Sequence, residues 1–109
     1  MSYAIHITQK AQADIDRAAD HLAYVLRNPT AAQALLDETE KTLLSLADFP
    51  ERFQLPEDEF LAALGVRFIQ VKSYLAFYVV EQSSRTVFVI RFLYGKSDWA
   101  SILRNELSL

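Results

Sequence analysis

Residues 65–99 read GVRFIQVKSYLAFYVVEQSSRTVFVIRFLYGKSDW, and this stretch decides the fold. Three segments in it are rich in Val, Ile, Phe and Tyr, namely residues 66–72, 74–82 and 86–94. Such composition favours β-strands. The links between them, at residues 72–73 and 83–85, are short enough for tight turns. The stretch therefore predicts three consecutive antiparallel strands.

The two later strands of this sheet do not alternate cleanly between apolar and polar residues. Residues 76–80 and 87–90 carry apolar or aromatic side chains at every position. A strand with one solvated face would alternate, so we expect these two strands to be central and to be partly covered on both faces.

The N-terminal half predicts one strand and two helices. Residues 3–7 alternate and contain Ile5 and Ile7, as in a short strand. Thr8 can cap a helix that reaches about Arg27, and Asn28 can cap a second helix that begins with Pro29. The inner stripe of the first helix is Ala11, Ile15, Ala18, Leu22 and Val25. The inner stripe of the second, which ends at Phe49 and Pro50, is Leu35, Leu36, Thr39, Leu43 and Leu46.

The rest of the chain predicts a connector and a final helix. Residues 51–65 are acidic and contain room for a helical turn at residues 57–64. Ser97 can cap a last helix over residues 98–105, whose inward side chains would be Trp99, Ile102 and Leu103. The predicted fold is a single α+β domain over residues 1–109, with the order β-α-α-β-β-β-α. Its antiparallel sheet packs against the N-terminal helical hairpin, and a short C-terminal helix follows.

Composition excludes several classes of function. The chain has no cysteine, so disulfides, thiolate nucleophiles and Cys-based zinc sites are excluded. It shows no signal peptide, and no apolar stretch approaches the roughly 18 residues of a membrane span. We therefore expect a cytoplasmic protein that does not contact a membrane.

Charge is distributed unevenly along the chain. The formal net charge is -3. Residues 67–109 carry six basic groups against three acids, a local charge of +3, whereas residues 1–66 carry five basic groups against eleven acids, a local charge of -6. An anionic partner should therefore bind the C-terminal part.

The usual catalytic and metal-binding patterns are missing. The two glycines form no phosphate-binding loop, and neither His6 nor His21 lies at a metal-ligand spacing from an acid. We expect no metal and no cofactor. Asp14, Asp16 and Asp20 on the first helix are interpreted as a solvated face, and His21 as a solvated histidine. His6 can approach a site on the far face of the sheet.

The basic and aromatic C-terminal half holds the remaining candidate residues. The cations are Arg67, Lys72, Arg91 and Lys96, and the interleaved aromatic residues are Tyr74, Tyr78, Phe92, Tyr94 and Trp99. Cations beside aromatic rings suit phosphates and unstacked bases. The alternative is that the aromatic residues form the core and the cations decorate the surface. Tyr78, inside a dense apolar run, is expected to be a core residue.

Residues 65–80 resemble the GvR-x-x-x-v-x-x-Y-x-x-f-Y-x-v strands of RelE/ParE toxins, and residues 87–99 resemble the v-x-v-l-R-i-l-H-g-r-r-D-w ending of that superfamily. The resemblance implies a growth-inhibiting toxin of a type II toxin–antitoxin, or plasmid stabilisation, system. It also implies a cognate antitoxin that wraps the toxin with an extended or helical tail. Contact with DNA would be indirect, through the antitoxin.

Two activities occur in this superfamily. RelE-like members cut mRNA on the ribosome without a metal, and for such a nuclease the matching residues here are Arg67, Lys72, Arg91 and Tyr94. Lys96 and Trp99 are candidate contacts to a target or a phosphate. ParE-like members act on DNA gyrase and are not nucleases.

Three departures favour the ParE-like branch. Leu75 stands where RelE-like nucleases usually carry an arginine, Tyr94 stands where many carry a histidine, and the net charge is negative. A protein that works in the phosphate field of the ribosome is expected to be strongly basic. A RelE-like endoribonuclease stays as the alternative, and a non-toxic binding module of the same fold is a further one.

Overall fold

The computed structural model describes residues 2–108, and within them four strands form one mixed sheet in the order β1-β4-β3-β2. The strands are β1 (Ala4–Ile7), β2 (Arg67–Val71), β3 (Tyr74–Glu81) and β4 (Thr86–Tyr94). The last three form the predicted antiparallel meander. β1 lies parallel to β4, with Ala4 opposite Thr86, so the first and last strands of the described chain are neighbours in the sheet.

Two helices form the predicted hairpin. Helix α1 (Gln9–Asp20) begins after Thr8, whose hydroxyl accepts a hydrogen bond from the Ala11 amide. Its α-helical part ends earlier than predicted, because residues His21–Val25 form a π-helical turn. Arg27 then takes a left-handed backbone, with φ 52°, that reverses the chain. Helix α2 (Pro29–Leu44) begins as predicted, with the Asn28 side chain accepting from the Ala31 amide.

Short turns follow α2. Its regular part ends at Leu44, before the predicted end, and the chain tightens into 3-10 turns at Ser45–Ala47 and Pro50–Arg52. The predicted turn of helix in the connector is present as α3 (Glu59–Ala63), capped by Asp58.

The last helix, α4 (Trp99–Leu107), differs from the prediction in its cap. Asp98, not Ser97, accepts a hydrogen bond from the helix, at the Ser101 amide. Ser97 instead donates its hydroxyl proton to the Tyr94 carbonyl. Leu103 is buried as predicted, but Ile102 lies at the surface.

Two apolar clusters cover the two faces of the sheet, as the unbroken apolar runs predicted. The helical hairpin packs on one face in a cluster that includes Ile15, Leu35, Tyr78 and Val89. On the other face, α3 and α4 pack in a smaller cluster whose buried members are Leu61, Val66, Phe77 and Leu103. The result is a helix–sheet–helix arrangement in which the ends of the strands stay accessible.

Candidate functional site

A cleft of about 310 Å³ lies between α1 and the ends of β3 and β4. It collects residues that are far apart in sequence, because the sheet brings the start of β3 beside the end of β4, with Tyr74 opposite Tyr94. Its lining residues are Asp14, Arg17, Ala18, His21, Tyr74, Arg91, Phe92, Leu93 and Tyr94.

Aromatic rings form one wall of this cleft. Tyr74 stacks on Phe92 with ring centroids 5.0 Å apart, and it meets Tyr94 edge-on at 5.7 Å. The Tyr94 side chain is still 45 % exposed. Burial, together with the neighbouring Tyr94, raises the pKa of Tyr74 above its usual value. Tyr74 is therefore neutral at physiological pH and adds no negative charge to the wall.

The floor of the cleft is a buried ion pair between Asp14 and Arg91. Arg91 Nε donates to Asp14 Oδ2 at 2.6 Å, and Arg91 Nη2 donates to Asp14 Oδ1 at 3.0 Å. The side chains are only 3 % and 12 % exposed. The sequence interpretation of Asp14 as part of a solvated face is therefore wrong, whereas Asp16 and Asp20 are exposed as predicted.

Asp14 also satisfies the backbone of β4. β1 ends at Ile7, opposite Val89, so in the described chain the later half of β4 has no strand partner on that side. Helix α1 occupies the space, and the Phe92 amide donates to Asp14 Oδ2 at 3.0 Å. A buried amide without a partner would cost about 1–3 kcal/mol. The Asp14 carboxylate avoids this cost because it supplies the acceptor that a neighbouring strand would otherwise provide.

A β-bulge directs Arg91 towards the two helices. Phe77 pairs with Arg91 and the next residue, Tyr78, pairs with Val89, which leaves Ile90 as an extra residue in β4. Bulges change the direction in which the following side chains point. Arg91 therefore reaches both Asp14 of α1 and Glu106 of α4, whose carboxylate contacts Arg91 Nη1.

The ion pairs continue as a chain of alternating charges. Lys10 Nζ lies 3.1 Å from Glu106, and Arg17 Nη2 lies 3.0 Å from Asp14. Burial alone would raise the pKa of Asp14, but hydrogen bonds from Arg91, Phe92 and Arg17 outweigh it and lower that pKa below its usual value. Asp14 is therefore ionised, and the network links α1, β4 and α4.

The structure does not gather all the predicted cations in one place. Arg67, at the start of β2, donates to the Phe53 carbonyl at 2.6 Å. It pairs with Tyr78, whereas Tyr94 lies across from Tyr74 and Val71, so four residues, or roughly 13 Å of strand, separate the two positions along the sheet. Lys72 lies in the β2–β3 turn with a left-handed backbone, and Lys96 is exposed beyond the end of β4.

Three other candidates are mainly structural. Trp99 is half-buried and packs on Phe68 and Phe77, with ring centroids 6.3 and 5.2 Å away. Leu75 packs against the smaller apolar cluster. Tyr78 is a core residue, as predicted, and its hydroxyl donates to the Pro50 carbonyl at 2.6 Å. Burial raises the pKa of Tyr78 to about 12.

Two cleft residues from α1 were not among the predicted site residues. Arg17 and His21 lie four positions apart on the same helix face and line the cleft beside Tyr94. The sequence indicated that this part of α1 faces the sheet, because Ala11, Asp14 and Ala18 lie on the same inward face of the helix. His6 is exposed and meets the Phe88 ring edge-on at 5.5 Å, away from the cleft.

Two further properties concern residues 2–108 alone. Within this range His, Asp and Glu side chains form no group of three or more that could hold a metal ion. No helix of this range combines the length and apolar character that crossing a membrane requires.

Comparison with solved structures shows several chains that share this fold. A chain of the chromosomal ParDE toxin–antitoxin system from P. aeruginosa is 21% identical over 85% of this chain and 96% of its own, with a TM-score of 0.69. A mutant of E. coli toxin RelE in the free state is 18% identical over 100% of both chains, with a TM-score of 0.64. A chain of the RelBE2 complex from Mycobacterium tuberculosis is 18% identical over 86% and 92%, with a TM-score of 0.59.

The family follows from the sequence itself. The family model for the ParE toxin of the type II toxin–antitoxin system parDE matches residues 5–99. The chain therefore belongs to the ParE toxin family, which confirms the superfamily and the branch predicted from residues 65–99. A comparison with curated proteins gave no match.

Proposed function

We propose that this chain is the toxin of a toxin–antitoxin pair and that it inhibits DNA gyrase without cutting RNA. The match to the ParE toxin family supports the first part of the proposal. The observation that argues against RNA cleavage is the pairing of Arg91. This arginine, which the nuclease alternative needs at the scissile phosphate, already has Nε and Nη2 bound to Asp14 and Nη1 in contact with Glu106.

A phosphate could reach Arg91 only by displacing these carboxylates. Breaking a buried ion pair by removing one partner costs about 3–5 kcal/mol, because the remaining charge is left without compensation. A nuclease gains from cations that are already positioned and free to meet the developing charge. Arg91 is positioned, but it is not free.

The other positions required by a nuclease argue in the same direction. Leu75 places an apolar side chain, packed in the smaller cluster, where nucleases of the superfamily usually carry an arginine. Arg67 is bound to the Phe53 carbonyl and lies far along the sheet from Tyr94. Asp14, the one carboxylate that lines the cleft, accepts four hydrogen bonds and has no free lone pair to act as a general base.

The gyrase proposal is tested in a purified supercoiling assay. Relaxed plasmid, gyrase and ATP are incubated with increasing amounts of the chain, and we expect supercoiled product to fall and cleaved plasmid to accumulate. Undiminished supercoiling at a large excess of the chain would refute the gyrase target. Topoisomerase I relaxation under the same conditions controls for general interference with DNA.

The ribonuclease alternative makes an opposite prediction in a purified translation system. Primer extension on a translated message should show no new 5′ ends when the chain is added. Codon-associated cuts that vanish in Arg91→Ala would support the nuclease and overturn the proposal. If the chain is instead a non-toxic binding module, inducing it alone in cells would leave growth unimpaired. Growth on induction therefore separates this alternative from both toxin activities.

The antitoxin partner has a candidate surface on the opposite side of α1 from the cleft. A mainly apolar groove of about 330 Å³ lies beside the free edge of β1, lined by Ile5, Ile7, Gln12, Ile15, Leu36, Thr39, Glu40, Leu43 and Leu44. Leu44, which is 58 % exposed, extends the apolar lining of the groove to the surface. An amphipathic antitoxin segment can fill this groove with its apolar side chains.

Leu44→Lys tests this surface without touching the core. We expect it to weaken co-purification with a co-expressed cognate antitoxin at least tenfold and to leave toxicity intact. Leu26→Lys is the matched control, because Leu26 is similarly exposed at the tip of the hairpin. Equal antitoxin binding by both variants and the unchanged chain would exclude the groove as the interface.

A further inference from the structure

The cleft described above holds a combination of groups that the gyrase proposal does not use. Two guanidinium groups, of Arg17 and Arg91, and one carboxylate, of Asp14, line it. With Lys10 and Glu106, which complete the ion-pair network, three cations and two carboxylates leave one positive charge. The chain as a whole carries -3, so this end of the sheet is a positive region on a negative protein. Such a region attracts anions.

Arg17 is the cation in this cleft that can meet a ligand. Its guanidinium is oriented by one hydrogen bond to Asp14 at 3.0 Å, yet its side chain is 69 % exposed. Arg91, by contrast, is 12 % exposed and bound on both sides. An arginine held by one partner keeps further N–H groups for an incoming phosphate. His21, one helical turn further along α1, adds an exposed imidazole beside it.

The aromatic wall faces the same space. Tyr94 is fixed from one side by Tyr74, which is itself stacked on Phe92, while 45 % of its own surface is open. A fixed aromatic ring with an open face is a platform on which a planar base stacks without sequence preference. The volume of about 310 Å³ lies at the low end of ligand pockets, roughly 300–1,000 Å³, which fits one nucleotide and not a long groove-bound segment.

We propose that this cleft binds a nucleotide, with the base stacked on Tyr94 and the phosphate held by Arg17 and His21, and that it does not cleave it. Binding without cleavage follows from the occupied Arg91 and the saturated Asp14. The site is separate from the antitoxin groove proposed above and does not depend on the gyrase target, so a measurement on the isolated chain tests it independently.

The test is a titration followed by amide NMR, with uridine 5′-monophosphate as the probe. We expect saturable shifts at Arg17, His21, Tyr74 and Tyr94, with a dissociation constant of about 1 mM or tighter at low salt. Inorganic phosphate alone should shift the α1 signals but not Tyr94, and uridine alone should bind several-fold more weakly than the nucleotide. A four-nucleotide uridine strand that binds more tightly than the monomer would assign the ligand to a nucleic acid; equal affinity would assign it to a free nucleotide.

Two pairs of variants separate the site from general charge effects. Tyr94→Ala should weaken binding about tenfold through lost stacking, whereas Tyr24→Ala, at a more exposed tyrosine that does not line the cleft, should not. Arg17→Gln should weaken it about fivefold, and Lys41→Gln, which removes an exposed charge on α2, should have no effect. The proposal would be overturned by NMR shifts at cations outside the cleft, or by an equal loss of affinity in a variant and its control. Release of uridine from the nucleotide would overturn it as well.

Discussion

Replacing Asp14 by Asn should lower the free energy of unfolding by about 3 kcal/mol. Asn keeps the shape of the side chain but removes its charge and turns one acceptor oxygen into an NH2 donor. That donor then faces either the guanidinium of Arg91 or the amide of Phe92, both of which are donors themselves. The estimate lies at the lower end of the 3–5 kcal/mol for a broken buried pair, because Glu106 still contacts Arg91.

Urea unfolding at pH 7, followed by circular dichroism, measures this loss directly. For a domain of this size a loss of 3 kcal/mol corresponds to a fall in Tm of roughly 12–24 °C. Asp16→Asn is the matched control, because Asp16 lies on the same helix but is exposed, and it should change stability by less than about 0.5 kcal/mol. A loss below about 1 kcal/mol in Asp14→Asn would mean that the network contributes little.

The same pair predicts a pH dependence. The folded-state pKa of Asp14 is lowered from its ordinary 3.8, so its stabilising contribution is complete above about pH 4 and is lost as the pH falls through the lowered value. Stability measured between pH 6 and pH 2 should therefore fall less steeply in Asp14→Asn than in the unchanged chain. Parallel pH profiles would contradict the lowered pKa.

Three smaller predictions concern the core and the ion pairs. Tyr78→Phe removes the hydroxyl that donates to the buried Pro50 carbonyl and should lower the free energy of unfolding in urea by about 1–2 kcal/mol. An unchanged urea midpoint would contradict this prediction. Leu103→Ala, at a 1 % exposed position, should lower the free energy of unfolding by about 2–5 kcal/mol, whereas Ile102→Ala on the surface of α4 should lower it by under about 1 kcal/mol. Similar losses in both variants would mean that the inward face of α4 is assigned wrongly. Glu106→Gln should lower the free energy of unfolding by about 1–2 kcal/mol, because it removes the charge that pairs with Arg91 and Lys10. If 1 M salt does not reduce the resulting shift of the urea midpoint, these contacts are not ionic.

The sequence predicted the elements well where the signal is local. The caps at Thr8 and Asn28, most positions of the helical stripes and the three strands depend on neighbours within a few residues, and these were confirmed. Two predicted inward residues were wrong, because Val25 is 66 % exposed and Ile102 lies at the surface. The boundaries that were wrong lie at turns where backbone geometry changes, such as the π-helical turn His21–Val25 and the left-handed Phe49. Periodicity alone does not distinguish these from a continuing α-helix.

The site was harder to predict because its central contact is not local. Asp14 and Arg91 are 77 residues apart in sequence, and a carboxylate beside two other acids on a helix normally belongs to a solvated face. The β-bulge at Ile90 also cannot be read from an unbroken apolar run. The inward positions of Ala11 and Ala18, three before and four after Asp14, were the local evidence that this acid faces the sheet.

The parallel pairing of β1 with β4 has a consequence for how the toxin is made. Ala4 of β1 pairs with Thr86 of β4, so β1 can join the sheet only after the 82 residues that follow Ala4 have been synthesised. Long-range parallel pairing is also slow to form, because the loop must close before its contacts stabilise it. At translation speeds of about 5–20 residues per second, the nascent chain spends several seconds with an incomplete sheet. Any activity that needs the complete sheet therefore has to wait until β4 has been made and has paired with β1.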